Sequence, residues 1–300
     1  DKHDAIVNVD FLWDNSREPV FVRAGTGDPL AGNPQFPFPS TFQYVRDGRF
    51  GRGAYVPDRN DFGPRAGIAY QLNEKTVLRA GGGVYFVRDI GNAVFDVVRN
   101  QPFTVRQAEP ANISSPNLTW SRPFTNPGAA TFLLVTQYGE RTSYVNQWQS
   151  SIQRQLTRDM SLEVTYMGSS GVKLRRLQSY NNPIPGPGNQ NANRPLPKFG
   201  GFQVMNAPSH SSYHSLQARL QHRFSRGFNL LGSYAYGKSI DNGSGIRTTD
   251  GDPLTPSDNY NLAHERGLSA FDFRQRFTGS FLYDLPFGRG RAVDFNSGVA

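Results

Sequence analysis

The 300-residue sequence contains no cysteine, no long hydrophobic run and no block of basic residues. The absence of cysteine excludes disulfide scaffolds, cysteine-based zinc sites and thiol nucleophiles. Because no run of 18 or more apolar residues occurs, a transmembrane helix is excluded as well. Lys and Arg together number 32 against 24 Asp and Glu, but the basic residues are scattered singly. The net charge of +8 therefore does not indicate a nucleic-acid partner.

Residues 214–237 carry a two-residue alternation that the rest of the sequence repeats. Apolar Leu216, Ala218 and Leu220 alternate with polar Gln217 and Arg219, and the alternation resumes after Gly227. Successive side chains of a strand point to opposite faces, so this segment predicts a hairpin with one apolar and one polar face. Either a protein core or lipid must cover the apolar face.

Eight segments show this alternation, and no segment of comparable length has a helical period. Glycines and prolines, 31 and 21 in number, interrupt the remainder. The sequence therefore predicts an all-β fold. The predicted strands are 4–13, 64–72, 77–86, 147–156, 160–168, 214–224, 228–237 and 276–285.

The connections between the predicted strands alternate between short and long. The short ones are 73–76, 157–159, 225–227 and the turn at 286–289. The long ones are 14–63, 87–146, 169–213 and 238–275. Long structureless loops are uncommon in compact domains, whereas outer-membrane barrels combine short periplasmic turns with long extracellular loops. We expect an antiparallel, up-and-down transmembrane β-barrel. The segment would contribute about eight strands to this larger barrel.

The alternation assigns side chains to the two sides of the expected barrel wall. Those predicted to face the lumen are Arg65, Arg79, Gln147, Gln149, Gln153, Glu163, Gln217 and Arg219. Those predicted to face the membrane are Trp148, Leu162, Tyr166, Leu220, Leu230, Tyr234, Tyr236, Phe281 and Tyr283. Two polar residues, Arg154 and His222, break the apolar face. Both lie near short turns, where a charge costs only about 0–1 kcal/mol.

Aromatic residues concentrate at both ends of the predicted strands. Those at the loop end are Phe86, Trp148, Tyr166, Tyr234 and Tyr236, and those at the turn end are Tyr70, Phe224, Phe228 and Tyr283. Aromatic side chains accumulate at the two membrane interfaces of a barrel. Aromatics are also common in strands generally, so the bands support the membrane hypothesis only together with the loop asymmetry.

Several longer motifs resemble the barrel of Oar-like TonB-dependent receptors. They are DFGPRAGIAYQLNEKTVLRAGGGVYF (61–86), NQWQSSIQRQL (146–156), SLEVTYMGSSGVKL (161–174), SYHSLQARLQHRFSRGFNLLGSYAYGKSIDN (212–242) and ERGLSAFDFRQRFTGSFLYDLPFGRGR (265–291). The resemblance follows the same order over residues 61–291, and residues 1–60 match more weakly. It implies a closed barrel of about 22 strands around a plug domain, with an N-terminal segment that contacts TonB. It also implies transport of a bulky substrate across the outer membrane.

Both ends of the sequence lack expected features of a complete receptor of this family. No plug domain is visible, and the chain ends in Ala300 without the terminal aromatic residue that usually closes such barrels. We expect residues 1–300 to be part of one outer-membrane β-barrel domain, with the plug domain and the barrel C-terminus outside this segment. TonB and the plug would then be partners through that missing part.

Motifs that suggest catalysis or a cofactor are incomplete. GSSG (168–171) is one residue short of a nucleophile elbow, HSSYH (210–214) lies in a proline-containing loop, and AHERG (263–267) lacks the second histidine of a zincin. A calcium site is the best metal candidate, with ligands Asp241, Asp250, Asp252 and Asp258, but its spacing matches no EF-hand, and turn-forming aspartates explain it better. We expect no enzyme activity, cofactor or bound metal.

Two alternatives remain open at the level of sequence. A secreted all-β ligand- or carbohydrate-binding protein would use the same alternation to pack one sheet on another. A small barrel would close by pairing strand 4–13 with strand 276–285. The inner side chains Gly81, Gly83, Ser151 and Ser233 are small, however, whereas side chains fill the interior of an eight-stranded barrel.

Overall fold

The computed structural model describes most of the predicted strands and part of the long connections. The described residues are 6–10, 18–32, 43–53, 56, 58–87, 97, 100, 114, 119–121, 133–183, 186–188, 192–197, 199, 201–225, 227–245, 255–259 and 261–288. In this part of the chain, no helix is long and apolar enough to cross a membrane. Of the candidate metal ligands, Asp250 and Asp252 lie outside the described ranges, as do Ala300, parts of the predicted strand 4–13 and the end of the turn at 286–289.

The described chain is built mainly from strands, with a turn of 3-10 helix at Leu262–Glu265. The strands are β1 (Val7–Asp10), β2 (Val20–Arg23), β3 (Gln43–Val45), β4 (Arg65–Asn73), β5 (Thr76–Phe86), β6 (Leu133–Thr136), β7 (Tyr144–Gln155), β8 (Met160–Tyr180), β9 (Phe202–Ser225), β10 (Phe228–Asp241), β11 (Gly267–Leu268) and β12 (Gln275–Tyr283). The predicted all-β class is confirmed.

Seven strands form one antiparallel meander, which we call the wall. Its order is β4–β5–β7–β8–β9–β10–β12, and the short β11 pairs with the far end of β10. Tight turns join β4 to β5, β7 to β8 and β9 to β10, as the sequence predicts. In the first turn the Asn73 side chain accepts a hydrogen bond from the Lys75 amide at 3.0 Å. In the third, Gly227 has φ 81°, a conformation that glycine adopts without strain.

The prediction that residues 4–13 form a wall strand was wrong. Within this range Val7–Asp10 forms β1, which pairs with β2 in a separate three-stranded sheet. Val7, Asn8 and Val9 are consecutive and all buried, so both faces of β1 are covered. Two-residue periodicity fails here because a strand buried on both faces does not alternate between apolar and polar residues. The small closed barrel, which required pairing between 4–13 and 276–285, is not formed by the described strands.

Strands β8 and β9 are about twice as long as a membrane crossing requires. They contain 21 and 24 residues, against about 9–11 for a transmembrane strand. Their pairing is regular up to Gly171 and then shifts register twice before Arg176. Lys173, at this irregularity, has φ 54°. The predicted loop 169–213 is therefore largely a strand extension, and the bulge marks the point at which the wall ends.

Beyond the bulge the two extensions join the separate sheet in a compact layer, which we call the cap. β6 pairs in parallel with the start of β9, and β1 packs against β6. A common apolar core joins these elements, and its buried residues are Val7, Val9, Phe21, Val135, Tyr180, Phe199, Phe202 and Val204. Most of the buried apolar side chains of the described chain lie in the cap.

Two buried asparagines connect backbone segments within the cap. The Asn8 side chain donates to the Thr136 carbonyl at 2.7 Å and accepts from the Thr136 amide at 3.1 Å, so it continues the ladder from β1 to β6. The Asn181 side chain accepts from the Leu196 amide at 2.7 Å and donates to the Phe199 carbonyl at 3.1 Å. These bonds satisfy backbone groups that burial would otherwise leave unpaired.

Replacing Phe202 with Ala should open the cap without unfolding the wall. The ring is fully buried, and truncation of such a ring costs about 3–5 kcal/mol. Hydrogen exchange on the full-length protein should show this destabilisation as reduced amide protection in β1, β6 and the start of β9. Phe62→Ala is the matched control, because Phe62 is 81% exposed and its truncation should change stability by less than about 0.5 kcal/mol. Equal effects of the two variants would contradict a packed cap.

Candidate functional site

The register of the wall divides its side chains into two faces. Residues directly opposite each other in an antiparallel pair point to the same side of the sheet. Gln153 lies opposite Val77 and Glu163, and Glu163 lies opposite Arg219. Extending this relation across all strands puts every predicted lumen-facing residue on one face, which we call the inner face. Its members from the prediction are Arg65, Arg79, Gln147, Gln149, Gln153, Glu163, Gln217 and Arg219.

The predicted membrane-facing residues all share the opposite face, which we call the outer face. They are Trp148, Leu162, Tyr166, Leu220, Leu230, Tyr234, Tyr236, Phe281 and Tyr283. Many are exposed although they are large and apolar, and Phe281 is 74% exposed. A face of this kind needs an apolar partner. The division into two faces follows from the register, while the contact of the outer face with lipid stays a prediction.

Charge is distributed unequally between the two faces. Among the registered strand residues of the wall, the outer face carries no Asp or Glu, although these number 24 in the chain. Its basic members are arginine, lysine and histidine, and all lie near one of the two ends of the wall. They are Arg154 and His222 near the short turns, and His210, His214 and Lys238 toward the long loops. The middle of the outer face is therefore free of charged groups.

A polar cluster occupies the inner face near the short turns. Arg79 donates to the Gln153 side chain at 2.7 Å. Glu163 and Arg219 face each other across β8 and β9. Together with Ser161 and Gln221 they line a recess of about 320 Å³. Four of these six residues belong to the predicted lumen-facing set. Ser161 and Gln221 follow from the same alternation but were not among the candidates.

A larger recess of about 860 Å³ lies farther toward the loops, mainly over the inner face. The Arg65 guanidinium lies over the Tyr85 ring at 4.5 Å from its centroid. Gly83 permits this arrangement, because a Cβ there would lie 2.6 Å from Cγ of Arg65. Gln147 and Gln149 add amide groups to the lining, which contains no carboxylate among its described residues. Such a surface can hydrogen-bond to a polar or anionic ligand or protein segment.

An aromatic cluster lies on the outer face at the loop end of the wall. The Trp148 indole lies directly over Gly168, its register partner, where no side chain larger than hydrogen fits beneath it. The His214 ring lies edge-on to this indole, with 5.9 Å between the ring centroids. It stacks on the Tyr166 ring at a centroid distance of 6.2 Å. The Tyr166 hydroxyl and Nδ1 of His214 share a hydrogen bond of 2.8 Å. Sequence analysis predicted Trp148 and Tyr166 here but missed His214 and the role of Gly168.

Replacing Gly168 with Ala should displace the Trp148 indole from the wall. Overpacking of this kind costs about 1–3 kcal/mol, and the displaced indole should lose its contact with His214. The emission of Trp148 should shift, measured in full-length protein in which Trp13, Trp120 and every tryptophan outside this segment are replaced by Phe. Gly232→Ala is the matched control, because Gly232 lies on the same face and a Cβ there meets nothing within 4 Å. If the emission shifts as much in Gly232→Ala as in Gly168→Ala, the packing of the Trp148 indole over Gly168 is contradicted.

A buried ion pair fastens the loop after β10 to the extension of β8. The Arg176 side chain is 2% exposed, and its Nη2 lies 2.9 Å from Oε2 of Glu265. Arg176 also donates to the Asn242 carbonyl, and Glu265 accepts from the Ser257 amide at 2.9 Å and from the Ser257 hydroxyl. Burial alone raises the pKa of Glu265, but the hydrogen bonds from Ser257 and Arg176 outweigh it and hold the pKa below its ordinary value.

The lowered pKa of Glu265 makes this fastening sensitive to acid. Its stabilisation is fully present above the ordinary carboxyl pKa of about 4.3 and is lost as the pH falls through the lower pKa of the folded state. Hydrogen exchange of residues 255–268, corrected for the intrinsic pH dependence, should therefore rise in this window. Glu265→Gln should reduce protection at neutral pH and remove the acid response. An acid response that survives in Glu265→Gln would rule out this carboxyl as its source.

Two further candidates from the sequence, Asp241 and the motif at 210–214, lie in the described chain. Asp241 accepts from the Gly243 amide and from the Ser244 hydroxyl, each at 3.0 Å, which is the bonding of a turn-forming aspartate. No group of three or more potential metal ligands occurs among the described residues. The prediction that 210–214 lies in a loop was wrong, because these residues belong to β9.

Comparison with known protein families matches residues 1–300 to the model of the outer membrane beta barrel domain. The chain belongs to this family, and it is located in the outer membrane. The alternative of a secreted, water-soluble sandwich is therefore set aside. A search of curated proteins finds no match.

Two solved structures are similar to parts of the chain. One is the outer membrane transporter YddB from Escherichia coli, at 13% identity and TM-score 0.36, with 57% of this chain and 19% of that chain covered. Another is the FrpB iron transporter from Neisseria meningitidis, F3-3 variant, at 8% identity and TM-score 0.35, with 59% of this chain and 19% of that chain covered. The chain thus spans about a fifth of the length of either transporter.

Proposed function

We propose that the chain is part of the wall of a TonB-dependent outer-membrane receptor that carries a bulky substrate across the membrane without covalent chemistry. The observation that carries this proposal is the two-faced wall, with an outer face free of carboxylates and an inner face lined by Arg, Gln and Glu. The ordered motifs over 61–291 resemble Oar-like receptors and supply the receptor class. The family match supports the barrel.

The edges of the wall support a barrel larger than the described arc. Strand β4 pairs only with β5, and β12 pairs only with β10 among the described strands. A strand edge exposed to hydrocarbon leaves backbone groups unsatisfied at a cost of several kcal/mol each, so membrane barrels are closed. Both edges therefore need further strands, which we assign to parts of the barrel outside the described residues.

The small inner side chains support a wide lumen. Gly67 and Gly81 are register partners on the inner face, and Ser151 of β7 lies on the same face opposite Arg79. An eight-stranded barrel would need larger side chains to fill its interior. A wide barrel instead holds a separate domain, and the resemblance supplies that domain as a plug. The two inner recesses would then be contact sites for the plug or for a substrate passing beside it.

Replacing Leu230 with Arg should impair folding into bilayers more than replacing its neighbour Leu231. Leu230 lies on the outer face opposite Phe281, whereas Leu231 lies on the inner face opposite Ser280. Because Leu230 is close to the short turn, we expect a cost of about 1–3 kcal/mol, below the full penalty at the bilayer midplane. The measurement is the equilibrium folding of both full-length variants into lipid vesicles. Greater damage from Leu231→Arg would mean that the inner and outer faces are reversed.

The receptor class is tested by binding to TonB. The full-length protein, solubilised from outer membranes, should bind the purified periplasmic domain of TonB from the same organism, because the resemblance places a TonB-contacting segment before the barrel. Deletion of that N-terminal segment should abolish binding and leave membrane insertion intact. If the full-length protein resists carbonate extraction but does not bind TonB, the membrane barrel is retained and the TonB-dependent class is rejected.

A further inference from the structure

The peptide bond between Asn242 and Gly243 lies just beyond the end of β10, and it is the only Asn-Gly step in the sequence. The Asn242 amide donates to the His210 carbonyl at 3.3 Å, which continues the ladder to β9 by one residue pair. Gly243 has no side chain to shield its nitrogen, so this nitrogen can approach the side-chain amide of Asn242 closely. Attack of the nitrogen on that amide would form a five-membered succinimide ring.

Hydrogen bonds at both ends of this peptide group favour the loss of its proton. The Gly243 N–H donates to Oδ1 of Asp241 at 3.0 Å, so a carboxylate is positioned to accept the proton. The Arg176 guanidinium donates to the Asn242 carbonyl, where negative charge develops when the nitrogen is deprotonated. Arg176 is 2% exposed, and its charge acts more strongly away from water. Both contacts make the Gly243 nitrogen a better nucleophile.

The side-chain amide of Asn242 is polarised as the electrophile. Its Oδ1 accepts from the His210 backbone N–H at 2.8 Å, and this oxygen gains negative charge when the amide carbon is attacked. Among the described residues, Nδ2 of Asn242 has no hydrogen-bond partner, so the leaving nitrogen is not held in place. The nucleophile, the electrophile and the leaving group are thus all arranged for cyclisation.

An unpaired hydroxyl lies beside the same peptide group. Ser209 is fully buried, and its Oγ makes no hydrogen bond within the described chain. This oxygen lies 3.0 Å from the position that a Cβ on Gly243 would occupy. A buried hydroxyl without a partner is destabilising, so its presence calls for an explanation. A donor at this position can hold the water molecule that opens a succinimide.

We propose that Asn242 and Gly243 form a self-modifying site, at which the protein converts its own asparagine to an aspartyl or isoaspartyl residue. The Gly243 nitrogen bonds to Cγ of Asn242, its proton passes by way of Asp241 to the side-chain nitrogen, and ammonia leaves. Water then cleaves one of the two C–N bonds of the succinimide. Cleavage at the side-chain carbonyl gives aspartate, and cleavage at the main-chain carbonyl gives isoaspartate. The reaction consumes one water and involves no oxidation or reduction.

The modification would release the loop that follows β10. A carboxylate at position 242 lies beside Arg176 and competes with Glu265 for its guanidinium. Isoaspartate also lengthens the backbone by one carbon and so disrupts the pairing with His210. The buried ion pair that fastens this loop to β8 would therefore have a limited lifetime. This chemistry does not depend on which face of the wall meets lipid.

The first test compares the folded protein with an unstructured peptide of the same local sequence. The full-length protein and the synthetic peptide SIDNGSGIR (239–247) are incubated in parallel at neutral pH. Aspartate and isoaspartate at position 242 are then quantified by peptide mapping with mass spectrometry. The folded protein should be modified about tenfold faster, because its acid–base and oxyanion contacts are already in place. A rate in the folded protein at or below that of the peptide would overturn the proposal.

Two variants separate activation by Arg176 from simple loosening of the loop. Arg176→Gln removes the bond to the Asn242 carbonyl and should slow the modification about tenfold. Asn259→Ala is the control, because it removes the loop's bond to the Ser179 amide and leaves the reacting peptide untouched. It should keep the wild-type rate, although hydrogen exchange of residues 255–268 rises. Unchanged or faster modification in Arg176→Gln would contradict activation by this guanidinium, as would an equal slowing in both variants.

Discussion

The structure depends on one constraint, which is that backbone hydrogen bonds between strands fix the register and the register fixes the face of every side chain. A shift of one residue would move Leu220 and Leu230 to the side of Arg219 and Ser233. The pairing of the wall is uninterrupted for eleven residue pairs between β5 and β7. Each strand thus holds its neighbours in the register that keeps carboxylates away from the outer face. In hydrocarbon the same bonds are obligatory, because no water replaces them.

Strands β8 and β9 belong to both the wall and the cap, and the bulge in β8 marks the boundary between the two. Before Gly171 the wall is open on both faces and few side chains are buried. Beyond Arg176 the extensions of β8 and β9 pack against β6 and the separate sheet around an apolar core. The cap is therefore stabilised by ordinary burial of apolar area in water. The wall instead relies on its hydrogen-bonded register and on an apolar partner for its outer face.

The wall could be predicted from the sequence and the cap could not. In a strand with one apolar and one polar face, apolar and polar residues alternate along the sequence. This alternation alone assigns Gln153 and Trp148 to opposite faces. The β1 strand is buried on both faces and carries no such record. Contacts across the sheet were also missed. Gly168 is a cradle for Trp148 only because β7 and β8 meet in that register, and the pairing of Arg176 with Glu265 joins residues 89 positions apart.

The central claim is that the outer face meets lipid and the inner face meets water or protein. The segment contains no cysteine, so a single cysteine can be placed at each of positions 216–221 of β9 in full-length protein from which any cysteine outside the segment has been removed, and labelled with nitroxide in vesicles. The account predicts collisions with dissolved oxygen that are high at 216, 218 and 220 and low at 217, 219 and 221, because oxygen concentrates in hydrocarbon. An inverted alternation would reverse the faces. The absence of any two-residue alternation would contradict a membrane-spanning wall.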